Sequence, residues 1–140
     1  SAGQKKSLIS AAIKARKSAY CPYSQYPVGA AVLSSKGLLF SGCNVENASY
    51  GLTLCAERTA IAQAVTQGHR DIVAVAVAAT ASTPCGACRQ VMIEFCRPHT
   101  PLYLVNMAGK SHDIRCIALS HLLPMAFNPH TAGLLKTQAR

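Results

Sequence analysis

The stretch from Thr53 to Cys96 constrains this chain more than any other, because it couples a pattern of secondary structure to a set of reactive side chains. Two segments of helical pattern flank the valine-rich run Ile72 to Thr80, and each opens on cysteine. The first opening is Cys55-Ala56-Glu57, within TLCAERTAI; the second is Pro84-Cys85-Gly86-Ala87-Cys88, within TPCGACRQV. A run that is apolar throughout suits a central strand buried on both faces. Alternation of helix and strand around it calls for parallel pairing with helices laid against the sheet. The pattern predicts an α/β fold: a three-layer α/β/α sandwich around a mixed, mostly parallel five-stranded sheet.

The cysteines fall where chemistry favours them. A helix N-terminus offers free backbone N–H groups and the positive end of the dipole, and both stabilise thiolates. Cys85 and Cys88, three residues apart, lie on one side of a first helical turn. Cys55 comes from the other helix, so a metal held by all three would pin both helices against the strand between them. A structural zinc site wants four protein ligands, whereas a catalytic one keeps three and leaves a position open. Three thiols and the nearby acid Glu57, close enough to reach a zinc-bound water without being a ligand, point to the second kind. A closed site would need a fourth ligand from Cys43, Cys96 or the histidines His69, His99, His112, His121 and His130, none at ligand spacing from the motifs. A redox pair would leave Cys55 and Glu57 without a role. Three thiolates on Zn²⁺ leave a net negative charge, which Arg58, on the helical face of Cys55, is placed to offset. Arg89, directly after Cys88, is the other cation in range.

The remaining chain supplies the scaffold. Residues 5 to 19 carry Leu8, Ile9, Ala12 and Ile13 at helical spacing, and Cys21-Pro22 is the expected stop. Val28 to Leu33 and Leu38 to Gly42 predict a hairpin around Ser34-Ser35-Lys36-Gly37. Helices are expected from Thr53 to about Gln67 and, following Pro84, to about Cys96, with strands at 102–107 and 114–117 and a short helical segment near Ser120 to Leu123. The 140 residues, half of them hydrophobic and 14% charged, fit a single domain over 1–140. Seven cysteines form an odd set, and no secretory signal opens the chain, which argues against a disulfide framework. The four outside the motifs are expected to be buried small residues or quiet thiols. No apolar run is long enough to span a bilayer, so a cytoplasmic protein is expected. The net charge of +9 is spread along the chain with no basic run interleaved with aromatics, which fits a solvated surface better than a nucleic-acid interface.

CAERTA followed by PCGACRQ closely resembles the small homotetrameric cytidine deaminases, as do AYCPYSQYPVGAAV, GCNVENASYG and HLLPMAF, in the same order. The resemblance covers nearly the whole chain. It implies Zn²⁺ on Cys55, Cys85 and Cys88, and hydrolysis of cytidine and deoxycytidine to uridine and deoxyuridine plus ammonia, a step of pyrimidine salvage. It implies Glu57 as the proton carrier, with Asn44 and Glu46 of the NVEN segment clamping the sugar 3′-hydroxyl. Ala56 and Tyr26 would also meet substrate; Tyr26 stands where the family usually has phenylalanine. Phe127 resembles the aromatic that reaches into a neighbouring subunit's site. The connection Ala81-Ser82-Thr83 is shorter than in many members. Deaminases of RNA or DNA share the chemistry, but they generally carry histidine in the first zinc position, where this chain has Cys55. A nucleoside-antibiotic deaminase is a closer cousin, from which Asn44 and Glu46 argue away. A zinc-stabilised binding module would not need Glu57.

Overall fold

In a computed structural model, described for residues 1–135, α1 (Ala2–Arg16) leads into the strands β1 (Gly29–Ser34) and β2 (Leu39–Cys43). Then follow α2 (Ala56–Thr66), β3 (Ile72–Ala79), α3 (Gly86–Phe95), β4 (Pro101–Asn106), β5 (Asp113–Ala118) and a short α4 (Leu119–Leu122). The strands form one sheet in the order β2-β1-β3-β4-β5. It is mixed, as expected, but only β3 and β4 pair in parallel; the other three pairings are antiparallel. The expectation of a mostly parallel sheet is thus corrected. The hairpin β1–β2 inserts its first strand between β2 and β3, and a short connection folds β5 back along β4.

Strand direction nevertheless does what a parallel sheet would do. Because β1 runs against both β2 and β3, those two strands share one direction, and β4 shares it with them. Helix α2 follows β2 and α3 follows β3, so both helices start at the same edge of the sheet, beyond the carboxyl ends of these strands. Ligands of open α/β sheets bind at that edge.

Two cores lie on opposite faces. On one, Leu8, Ile9 and Ala12 of α1 pack on Ala31, Ala74, Ala76 and Ala78. On the other, Ala60 and Ile61 of α2 and Met92 and Ile93 of α3 pack on Val32, Val75 and Val77. The alternation along β3 therefore places alanines under α1 and valines under α2 and α3. Small residues let the helices approach closely. A Cβ on Gly42 would stand 2.6 Å from the Ala60 nitrogen and 3.0 Å from the Ala56 carbonyl, so α2 lies directly on β2 there.

The first helix begins and ends three residues earlier than the pattern predicts. Ser1 caps it by accepting from the Gln4 N–H, while the Gln4 side chain reaches back to the Ser1 amine in a capping box. Of the four cysteines outside the motifs, Cys96 is buried, Cys21 and Cys43 are half-buried and Cys116 is exposed on β5. None of the described helices is long and apolar enough to cross a membrane.

Gly42→Ala is expected to lower unfolding stability by about 1–3 kcal/mol, the usual cost of overpacking. A urea titration should record a lower midpoint with an unchanged slope. An unmoved midpoint would mean that α2 can shift freely off β2.

Candidate active site

Cys55 and Cys85 stand just outside their helices, at the N-caps of α2 and α3, both on extended backbone. The first of these helices therefore begins three residues later than the expected Thr53, and the second one residue later than a start directly after Pro84, with the cysteines themselves as boundaries. Neither cap side chain bonds to its helix, so the first-turn N–H groups and the positive dipole end stay directed at the thiols. Cys88 lies in the first turn of α3, fully buried. The three sulfurs lie within 4.8 Å of one another, and those of Cys55 and Cys85 are 3.8 Å apart.

Arg58, one turn after Cys55, turns its guanidinium back to the cluster. Its Nη2 donates to Cys55 Sγ at 3.3 Å and reaches the Thr53 carbonyl at 3.4 Å. Arg89 takes the other role open to it: Nε donates to the Pro84 carbonyl at 2.8 Å and Nη1 to the Leu122 carbonyl at 2.5 Å, tying the loop before Cys85 to α4. Hydrogen bonding from the Cys88 thiol, reinforced by Arg58, pulls the Cys55 thiol down to about 5 against the effect of burial. Cys88 is pushed the opposite way by its bond to Cys55, by burial and by Glu57.

Glu57, in the first turn of α2, is 4% exposed. Burial raises its carboxyl above the ordinary range, and a hydrogen bond from Cys88 opposes that only in part. The carboxyl lines a cavity of about 350 Å³ together with Cys55, Ala56 and Cys85. Val77 and Ala79 at the carboxyl end of β3 form part of its wall, and Ala81, Ser82 and Thr83 form another part.

Tyr26, Asn44 and Glu46 line the same cavity. Asn44 is buried and held at both ends of its amide: Oδ1 accepts from the Val28 N–H at 2.9 Å, and Nδ2 donates to the Tyr26 carbonyl at 2.8 Å. Glu46 Oε1 accepts from the N–H groups of Tyr23 (2.9 Å) and Ser24 (3.1 Å), and the Ser24 hydroxyl donates to Oε2. These bonds hold the Glu46 carboxyl below its ordinary value, the Ser24 hydroxyl first among them. Each side chain keeps spare capacity: one amide hydrogen on Asn44 and further lone pairs on Glu46. Phe127 does not line the cavity. It sits 64% exposed on the segment after α4, with its carbonyl accepting from Gln90 Nε2 at 2.8 Å. Sequence reasoning missed Ser24 and the Ala81–Thr83 wall, because their roles rest on contacts between segments distant in the chain.

Residues 2–104 match the family model described as the cytidine and deoxycytidylate deaminase zinc-binding region. A cytidine deaminase from Halalkalibacterium halodurans is 54% identical over 123 residues, which cover 86% of this chain and 91% of that protein. The chain belongs to the cytidine and deoxycytidylate deaminase family. A second cytidine deaminase, from Sporosarcina psychrophila, is 49% identical over 86% of this chain and 89% of its own length. Among solved structures, the cytidine deaminase from Burkholderia pseudomallei superposes with a TM-score of 0.80 at 50% identity, covering 87% of this chain and 98% of that one. The Mycobacterium tuberculosis cytidine deaminase gives 0.77 at 38% identity, over 89% and 97%.

This deaminase-family chain has a donor set that fits zinc. Tetrahedral zinc with Zn–S bonds of about 2.3 Å holds its sulfurs about 3.8 Å apart. The separation of Cys55 and Cys85 already meets that spacing. The third sulfur lies close by, and no fourth Cys, His, Asp or Glu joins the cluster among the described residues. Removing one ligand should therefore abolish retention. Cys88→Ala is expected to carry only trace zinc after gel filtration, against one ion per chain in the parent, by elemental analysis. Full retention by the variant would exclude Cys88 as a ligand.

Proposed function

We propose that this chain is a cytidine deaminase of pyrimidine salvage: it exchanges the C4 amine of cytidine and deoxycytidine for oxygen from water, releasing uridine or deoxyuridine and ammonia. One observation carries this reading. The buried Glu57 and the thiol cluster open onto the same cavity as Asn44 and Glu46, whose spare hydrogen-bonding capacity suits a sugar hydroxyl. Zinc would be held by Cys55, Cys85 and Cys88, and would supply a Lewis acid able to make a water a nucleophile near neutral pH.

The chain's own groups do the rest. Asn44 donates to, and Glu46 accepts from, the sugar 3′-hydroxyl, which fixes how deeply the base enters. Ala56 and the wall of Val77 and Ala79 leave room for a flat ring. Glu57 moves protons: it takes one from water, delivers one to N3 of the pyrimidine and helps protonate the departing amine. A carboxyl whose proton affinity is raised by burial suits that alternation better than an exposed one. Arg58 draws thiolate charge away from the metal position through its bond to Cys55.

The site is completed by assembly. Phe127 and Met125 are exposed on the segment after α4, and Tyr50 and Leu52 are exposed on the turn that precedes α2. Large apolar side chains left exposed in such numbers mark a surface for another protein. We assign it to further copies of this chain in a homotetramer, Phe127 reaching a neighbour's site. The enzyme works in the cytoplasm on free nucleosides.

Purified protein given cytidine should lose the cytosine absorption band as uridine forms, and a chelator that strips zinc should stop the conversion. Glu57→Ala is expected to keep its zinc while kcat falls by about 10²–10⁴-fold, the usual weight of general acid–base catalysis. Near-full activity in that variant would remove Glu57 from the proton path. Phe127→Ala should weaken cytidine binding or break the tetramer by sedimentation; an intact tetramer of unchanged affinity would refute the shared site.

A further inference from the structure

The loop between β3 and α3 is a partition one chain thick. Ala81, Ser82 and Thr83 line the 350 Å³ cavity on one side. The same residues line a second cavity of about 200 Å³ on the other, bounded by Leu104 and Asn106 of β4 and Asp113 and Arg115 of β5. Ser82 is buried while Ala81 and Thr83 are exposed, so burial holds only one of the three side chains of this loop. It nonetheless runs directly into Pro84 and Cys85, and it forms a wall of the site.

One side chain from elsewhere takes hold of it. The Tyr26 hydroxyl donates to the Ala81 carbonyl at 2.6 Å and accepts from the Ala81 N–H at 2.7 Å. A phenol has one proton to give and lone pairs to receive, so a single group satisfies both backbone polar atoms of one residue. Tyr26 is itself held. Its N–H donates to the Ser24 hydroxyl oxygen at 3.1 Å, and that hydroxyl in turn donates to Glu46. Its carbonyl accepts from Asn44. The preceding Gln25 takes a left-handed conformation (φ 54°), unusual for a non-glycine, in turning the chain towards this position.

We propose that Tyr26 is a positioning residue whose hydroxyl couples the Asn44–Glu46 side of the cavity to the β3–α3 loop, so that both walls are set before substrate enters. The ring contributes apolar surface to the cavity; the hydroxyl organises the Ala81–Thr83 wall. The coupling matters to binding more than to the chemical step, because the clamped residues form the walls and do not carry protons. Its kinetic consequence rests on the cytidine turnover proposed above; the clamp itself does not.

Tyr26→Phe keeps the ring and deletes the hydroxyl. Hydrogen exchange of the zinc-loaded protein should find the Ala81 amide about tenfold or more faster in the variant, as expected for local loss of a protecting bond. The zinc content should be unchanged. KM for cytidine should rise about tenfold while kcat falls by clearly less, the mark of lost binding rather than lost chemistry. Unchanged exchange at Ala81 would overturn the clamp. Faster exchange with KM within about twofold of the parent, or with kcat falling as far as KM rises, would overturn the positioning role. A parent that does not turn over cytidine would refute the proposed activity, and the exchange result would still decide the clamp.

Discussion

Everything in this protein depends on two helices starting at the same edge of one sheet. Strands β2 and β3 share a direction because β1 opposes both, and each hands the chain to a helix that runs back across the same face. The N-termini of α2 and α3 consequently meet beyond the carboxyl ends of the strands, flanking β3. Thiols placed at those two N-caps come together from positions thirty apart in sequence. Opposed helix directions would have sent Cys55 and the Cys85–Cys88 pair to different ends of the sheet.

Packing then determines how accurately the edge is built. Alanines of β3 face α1, and the larger valines face α2 and α3, so the two faces of the sheet meet their helices at different depths. Gly42 lets α2 lie on β2 at backbone distance. Arg89 secures the other helix by joining the Pro84 carbonyl to that of Leu122, a fold-holding task. Because α2 and α3 are fixed independently against one sheet, the sulfurs can be close without a disulfide or a continuous chain to hold them.

Burial turns this arrangement into chemistry. Water removed from Glu57 makes its carboxyl hold a proton more tightly, while Arg58 and the Cys88 thiol favour negative charge on Cys55. Two acidic groups a few residues apart are thus driven in opposite directions by their surroundings. A site that moves protons beside a metal position uses such a separation. In the same cavity, Asn44 and Glu46 spend part of their hydrogen-bonding capacity on their own chain, which holds them in place while leaving capacity for a ligand.

The sequence by itself determined the element order, the helix-end location of Cys55 and Cys85, and the resemblance of the chain to the deaminases, because periodicity, helix stops and contiguous motifs are local properties. Membership of the deaminase family follows from the match over residues 2–104. Local pattern could not determine strand direction: a hairpin and a crossover look alike until partners are known, and the sheet has one parallel pairing among four. Helical spacing favoured Arg58 over Arg89 as the partner of the thiolates, and the packed helices show Arg58 on the Cys55 sulfur and Arg89 on backbone carbonyls, a fold-holding contact that no local pattern marks. The exposed position of Phe127 and the grip of Tyr26 on Ala81 belong to the tertiary structure alone. The physical reason is the same for all of these. A hydrogen bond between residues 55 positions apart leaves no periodic trace in the chain, and it exists only once the sheet has brought the two segments together.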